Sequence, residues 1–154
     1  LRQRSNEPGQ KGRLAFQTIN GEMYAPFLYV EGKVDPRFEV LDPPLGQSKI
    51  TDSQRAKLFA FGGDRANSVP QVAMLNTLFL REHNRLAAEI EVEHPEWNDD
   101  QVFETARNSV IVMFIKIVVE DYINGLIRPW PGTRRGTSRI GSALSSACSI
   151  AGTP

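Results

Sequence analysis

The chain has 154 residues, 40% of them apolar, with 18 basic side chains balanced by 18 acidic ones. That length and composition suit one modest domain with its own core, and the balanced charge leaves no field to steer nucleic acid or an anionic lipid surface. The sole cysteine, Cys148, excludes an internal disulfide framework and any multi-cysteine zinc or iron–sulfur site.

Leu1 is not an initiator methionine, and residues 1–10 are charged and polar without a period, so the opening is neither a signal peptide nor a natural start. Further sequence is expected upstream. Leu14, Phe16 and Thr18 then alternate with Arg13, Ala15 and Gln17, which predicts a short strand. Asn20-Gly21 is the pair most willing to take positive φ in a two-residue hairpin turn, and Glu22-Met23-Tyr24 begins the return strand before Pro26. From Phe27 to Ser48 three prolines and two glycines break any helix and keep strands short, so a surface-hugging loop is expected.

Thr51 or Asp52 can cap a short helix running to Phe61, with Leu58 and Phe59 facing inward and Gly62-Gly63 ending it. The next helix starts with Ser68 as cap and Pro70 in the first turn, where its missing N–H costs nothing. Val72, Leu75, Phe79, Leu86 and Ile90 recur at three- and four-residue steps, widened by Met74 and Leu78, which commits that face to a core as far as about Glu93. His94-Pro95 turns the chain. Asn98 and Gln101 form a capping box, and Asp99 and Asp100 complement the positive end of a third helix.

In that helix Val102, Phe103, Ala106, Val110, Met113, Phe114 and Ile117 make the inner stripe, and beyond Ser109 it is apolar nearly all round. Its longest apolar run, Val110 to Val119 interrupted by Lys116, falls short of the roughly 18 residues that span a bilayer, so it reads as a buried helix and no transmembrane segment is expected. A two-helix hairpin alone cannot bury it, which implies other parts of a larger domain. After Asn124, residues 125–154 hold four arginines, no acidic residue and no apolar period. Two explanations stand: an end foreign to the domain, such as a frame-shifted one, or a flexible basic extension.

The candidate functional residues lie between positions 62 and 85. Arg81-Glu82-His83-Asn84-Arg85 packs five polar side chains into little more than one helical turn, and Glu82 precedes Arg85 at ion-pair spacing. His83 as a metal or haem ligand is the functional reading; a hydrogen-bonded structural histidine is the favoured one, and no zinc spacing links it to His94. Gly62-Gly63-Asp64-Arg65 lacks the ending of a phosphate loop. Arg65 sits just before a helix start, where glycines allow a flat ligand close to the backbone; a solvated loop arginine is its structural alternative.

Asp64-Arg65, Pro70, Thr77-Leu78, the run Leu80 to Ala87 and Pro95-Glu96-Trp97 together resemble the helix pair of the animal-type haem peroxidases. Gly21 to Tyr24, His94 to Trp97 and Ile115 to Tyr122 are most similar to the cyclooxygenase branch and its bacterial relatives. The resemblance runs from about Leu14 to Ile123 and is loose between Phe27 and Lys57. It implies a mainly α fold: the helical-hairpin portion of the peroxidase fold over residues 1–124, with a small N-terminal β-hairpin and an irregular basic tail over 125–154.

The resemblance also implies haem in the intact enzyme, with hydrogen peroxide and an organic or lipid substrate as its partners. In such enzymes a distal histidine takes a proton from peroxide, an arginine stabilises charge on the departing oxygen, and a proximal histidine holds the iron. Arg65 matches that arginine, five positions before Pro70, although the cyclooxygenases have an apolar residue there. Ser68 stands where the mammalian peroxidases have a glutamate esterified to the haem, so Ser68 and Val69 are expected to line a haem held without a covalent bond. Both axial-side histidines of the family lie outside this chain, and His83 is not an iron ligand there. The chain alone is therefore expected to bind haem poorly and turn over little; a non-catalytic helical interaction module is the rival reading.

Overall fold

A computed structural model describes residues 1–41, 50–62 and 65–127. It is mainly helical, with small antiparallel hairpins towards the N-terminus, and it falls into two compact units that divide between Lys116 and Ile117. The expectations on residues 128–154 lie outside the described residues.

The first unit opens with an irregular segment joined to the rest by an isolated bridge between Arg2 and Leu14. Strand β1 (Gln17–Ile19) pairs antiparallel with β2 (Glu22–Tyr24), with Thr18 opposite Met23. Asn20 at φ 53° and Gly21 at φ 83° make the turn, as their residue types predict. The expected loop from Phe27 contains a second minimal hairpin, β3 (Tyr29–Val30) and β4 (Lys33–Val34), and a 3-10 turn over Pro36–Leu41. Its residues 42–49 are outside the described part.

The helix expected to reach Phe61 is one turn only, α1 (Asp52–Arg55). Beyond it Phe59 bridges antiparallel to Phe27, because its backbone completes a strand-like contact that a helix would forgo. Helix α2 (Pro70–Glu93) starts as the proline predicts, but its cap is Val69 rather than Ser68, which is exposed. The N–H of His94 reaches the Ile90 carbonyl at 2.8 Å and closes the helix before Pro95. Helix α3 (Asp99–Lys116) has the expected capping box: the Asn98 N–H donates to Gln101 at 3.0 Å and the Gln101 N–H to Asn98 at 2.9 Å.

The apolar stripe expected to face the core of α2 does so only in part: Leu86 and Ile90 pack beside Ala87, Val102 and Ala106, whereas its N-terminal half turns outward. Met74, Leu75 and Leu78 are 64%, 50% and 58% exposed, while Thr77, Leu80, His83, Asn84, Ala87 and Glu91 are buried. The physical reason is the neighbour on that side: an irregular backbone, whose N–H and C=O groups require hydrogen-bonding partners rather than aliphatic ones. Helix α3 departs in the same way. Val102 and Ala106 are buried, but Ile111, Val112, Phe114 and Ile115 are exposed, so the run from Val110 is helical without being buried. Among the described residues α2 is the one helix with substantial packing against α3, and one neighbour covers only one side.

The core is three small clusters. Ala87, Val102 and Ala106 bring α2 and α3 together, with Leu86, Ile90 and Trp97 around them. Ala25, Phe61, Ala66 and Leu80 join β2, the loop before α2 and α2 itself. Leu28, Phe38 and Ala60 fill the third. The second unit begins with a π-helical stretch, Ile117–Ile123, followed by the short helix α4 (Asn124–Ile127). No described helix is long and apolar enough to cross a membrane.

Candidate functional site

Arg65, Ser68 and Val69 lie on one loop between Phe61 and α2. Arg65 and Ser68 are exposed, and Val69 is 46% exposed with extended backbone. The loop is anchored by its middle: Ala66 is buried beside Phe61 and Leu80. The Asn67 amide donates to the Phe59 carbonyl at 2.7 Å and accepts from the Phe59 N–H at 3.1 Å, and the Ser68 N–H reaches the Arg65 carbonyl at 3.0 Å.

Val69 borders a groove of about 550 Å³. One wall is α2, through Ala73, Met74 and Leu78; Phe59 faces it, and Lys57 and Arg81 put cationic groups among the lining residues. Neither Arg65 nor Ser68 is part of that lining. Walls of this kind suit the edge of a flat apolar macrocycle with acidic substituents. They supply no histidine to an iron, since neither of the chain's two histidines lines the groove.

His83 is instead buried under the N-terminal segment, its Nε2 2.9 Å from the Gly12 carbonyl, which fixes Nε2 as the protonated nitrogen. Burial pushes its pKa down, against a smaller opposing effect of the Gly12 bond. The structural reading of this histidine is the one the geometry matches. Asn84 accepts the Leu14 N–H at 2.8 Å and donates to the Leu14 carbonyl at 3.1 Å. Arg81 donates to the Met23 carbonyl at 2.7 Å, pairs with Glu22 at 2.9 Å and lies over the Tyr24 ring. Three of the five residues in the polar run thus bind the backbone of the segment from Gly12 to Met23.

The remaining two, Glu82 and Arg85, pair on the surface at 2.7 Å as their spacing predicts, with Glu89 extending the ladder. The Arg85 bond holds the Glu82 carboxyl below its usual range. His94 stacks on Trp97 with ring centroids 4.0 Å apart. Among the described residues no three His, Cys, Asp or Glu side chains gather as a metal site.

Several anchoring residues carry no sequence signal of that role. Asp99, expected to serve a helix end, is buried and accepts the Gly12 N–H at 2.6 Å and a bond from Arg2. Its burial favours the neutral acid, but those bonds outweigh it and lower its pKa. Glu91 accepts the Gly9 N–H at 2.7 Å. Gly12, at φ 68°, lies so close to α3 that a Cβ would sit 2.6 Å from Val102 Cγ1 and 2.7 Å from the Phe103 nitrogen. Such long-range contacts are invisible in one sequence; only the run around His83 and Asn84 stands out as polar residues set among apolar ones.

The family model for animal haem peroxidase matches residues 1–142, reaching past the stretch from Leu14 to Ile123 at both ends. Prostaglandin G/H synthase 2 from Bos taurus is 39% identical over 115 residues, covering 75% of this chain and 17% of that protein. The Gallus gallus counterpart is 38% identical and prostaglandin G/H synthase 1 from Canis lupus familiaris 36% identical, each over the same shares. The chain therefore spans about 17% of the length of these relatives. With matches of that extent over the helix pair and its polar run, the chain belongs to the animal haem peroxidase family, on its cyclooxygenase side.

Proposed function

We propose that this chain is the arginine-bearing helical hairpin of a haem-dependent peroxidase or fatty-acid dioxygenase, and that it is inactive by itself. The observation that carries this reading is the exposed Arg65 on an anchored loop, next to an apolar groove bordered by Val69 and α2. In the whole protein, hydrogen peroxide and an organic or lipid molecule are the substrates, and the chemistry connects with fatty-acid oxidation and the response to oxidative stress. We assign residues 1–124 to the peroxidase domain and 125–154 to a basic tail, the first part of which still falls within the family match.

Haem, when bound, supplies the redox-active iron. Arg65 contributes a permanent positive charge, whose role is to stabilise negative charge on the oxygen that departs as the peroxide bond breaks. Val69 would border the cofactor's edge, and Ser68, which cannot form the ester its glutamate counterpart makes, would leave the cofactor held without a covalent bond. The distal base and the iron ligand come from elsewhere in the whole protein, because His83 is committed to Gly12 and His94 stacks on Trp97.

A second reading, a non-catalytic interaction module, draws on the exposed Ile111, Val112, Phe114 and Ile115 of α3. Haem titration separates the two. The isolated 154-residue chain should show no ligated ferric Soret band and no peroxide-dependent dye oxidation, whereas the full-length gene product should show both and release its haem on acid–organic extraction. A full-length product indifferent to haem supports the interaction module and sinks the peroxidase reading; haem left attached to peptide contradicts the role given to Ser68.

A further inference from the structure

The loop bearing Arg65 is held by two contacts of different kinds. Ala66 enters the cluster of Ala25, Phe61 and Leu80, which fixes depth but leaves rotation free. Asn67 removes that freedom, because its amide engages both the N–H and the C=O of Phe59 and so acts as a strand partner would. Phe59 is itself held from several sides. Its backbone bridges to Phe27, and its ring stacks on Phe27 at 5.3 Å and on Tyr24 at 5.9 Å. Tyr24 in turn lies under Arg81 of α2 at 5.0 Å.

A continuous set of contacts therefore runs from Arg81 through Tyr24 and Phe59 to Asn67, and one residue separates Asn67 from Arg65. The Ser68 N–H to the Arg65 carbonyl bond makes positions 65 to 68 a single turn, so a displacement at Asn67 is carried to Arg65. We infer that Asn67 is a positioning residue for Arg65: its two bonds to the Phe59 peptide set where the guanidinium stands. The inference rests on the role proposed above for Arg65. Asn67 itself lines the groove beside Val69, and the inference assigns it a role through Arg65 rather than through contact with what the groove receives.

The test is a double-mutant cycle on the full-length haem protein, with hydrogen peroxide as reactant and stopped-flow absorbance as readout, joined to amide hydrogen exchange on the 154-residue chain. Asn67→Ala should slow the reaction with peroxide about tenfold at unchanged haem absorption, since a small misplacement of a charge-stabilising group is enough for that. It should add nothing further in an Arg65→Ala background, and it should speed exchange at the Ser68 amide. If Asn67→Ala loses haem, Asn67→Asp carries the same comparison, because it keeps the acceptor for the Phe59 N–H and turns the donor into a repelling oxygen.

Multiplicative losses in the cycle, or faster exchange with an unchanged peroxide rate, would overturn the inference. An Arg65→Ala protein that reacts as fast as wild type would remove the role of Arg65 and the inference with it. That failure is recognisable by the single variant alone.

Discussion

His83 and Gly12 are joined by a 2.9 Å hydrogen bond from a buried imidazole to a backbone carbonyl, 71 positions apart in the chain. The same glycine gives its N–H to Asp99 at the start of α3, so one residue of an irregular segment is held by both long helices. Gly12 is thus the point where the N-terminal segment is locked to the helix pair. Everything from Leu14 to the β1–β2 hairpin depends on this lock and on the Asn84 and Arg81 bonds beyond it.

Gly12→Ala should be among the most damaging single substitutions. The added methyl meets Val102 and the α3 backbone inside 3.0 Å, at a φ that L residues rarely adopt. A loss of about 2–4 kcal/mol in urea unfolding is expected from overpacking and backbone strain together. A Gly12→Ala chain as stable as wild type would show that the segment is not packed on α3.

Asn84→Ala takes the partner of the part-buried N–H and C=O of Leu14 away and should cost about 1–3 kcal/mol. Asn84→Asp keeps the acceptor for the Leu14 N–H but sets a carboxylate against the Leu14 carbonyl, and should be at least as damaging. Exchange at the Leu14 amide, followed by NMR, checks that the loss arises at this contact.

His83 makes the fold sensitive to acid. Burial lowers its folded pKa, so below the unfolded value of about 6.5 the unfolded chain binds a proton that the folded one does not. Its contribution is therefore full above that value and is lost as the pH falls from there towards the depressed folded pKa. Urea midpoints measured between pH 8 and pH 5 should fall over this window, and His83→Gln should flatten that part of the profile. Asp99, also lowered, contributes above its unfolded value near 3.8 and loses that contribution only in stronger acid. A wild-type profile level from pH 8 to pH 5 would contradict the placement of His83.

The two faces of α2 should respond unequally to truncation. Leu80→Ala removes a side chain buried against Ala25, Phe61 and Ala66, and should cost about 2–4 kcal/mol. Met74→Ala and Leu78→Ala, on the exposed apolar face, should change the stability of this chain by less than about 1 kcal/mol. Equal losses on both faces would mean that the outward stripe is covered in solution.

Much of the framework was legible because its signals are local. Asn20-Gly21 marks the hairpin, Pro70 and Pro95 bracket α2, and Asn98 with Gln101 caps α3. The facing of the helices was not legible. Met74, Leu75 and Leu78 fit an apolar period, yet the side of α2 that is buried in this chain mixes Leu80 and Ala87, which meet side chains, with His83 and Asn84, which grip backbone. Periodicity reports that a face seeks apolar cover without saying which segment supplies it. Arg65 stands out by its place before a helix start and by family resemblance, whereas Asn67, two positions on, carries no signal because the local pattern around its partner Phe59 reads as helix.

The role of Arg65 is tested most directly by the reaction of the full-length haem protein with hydrogen peroxide, comparing wild type with Arg65→Ala by stopped-flow absorbance. A loss of roughly 10²- to 10³-fold in rate at unchanged haem content is expected for removal of a charge-stabilising group. A rate within about twofold of wild type, with haem fully bound, would show that this guanidinium takes no part in peroxide cleavage.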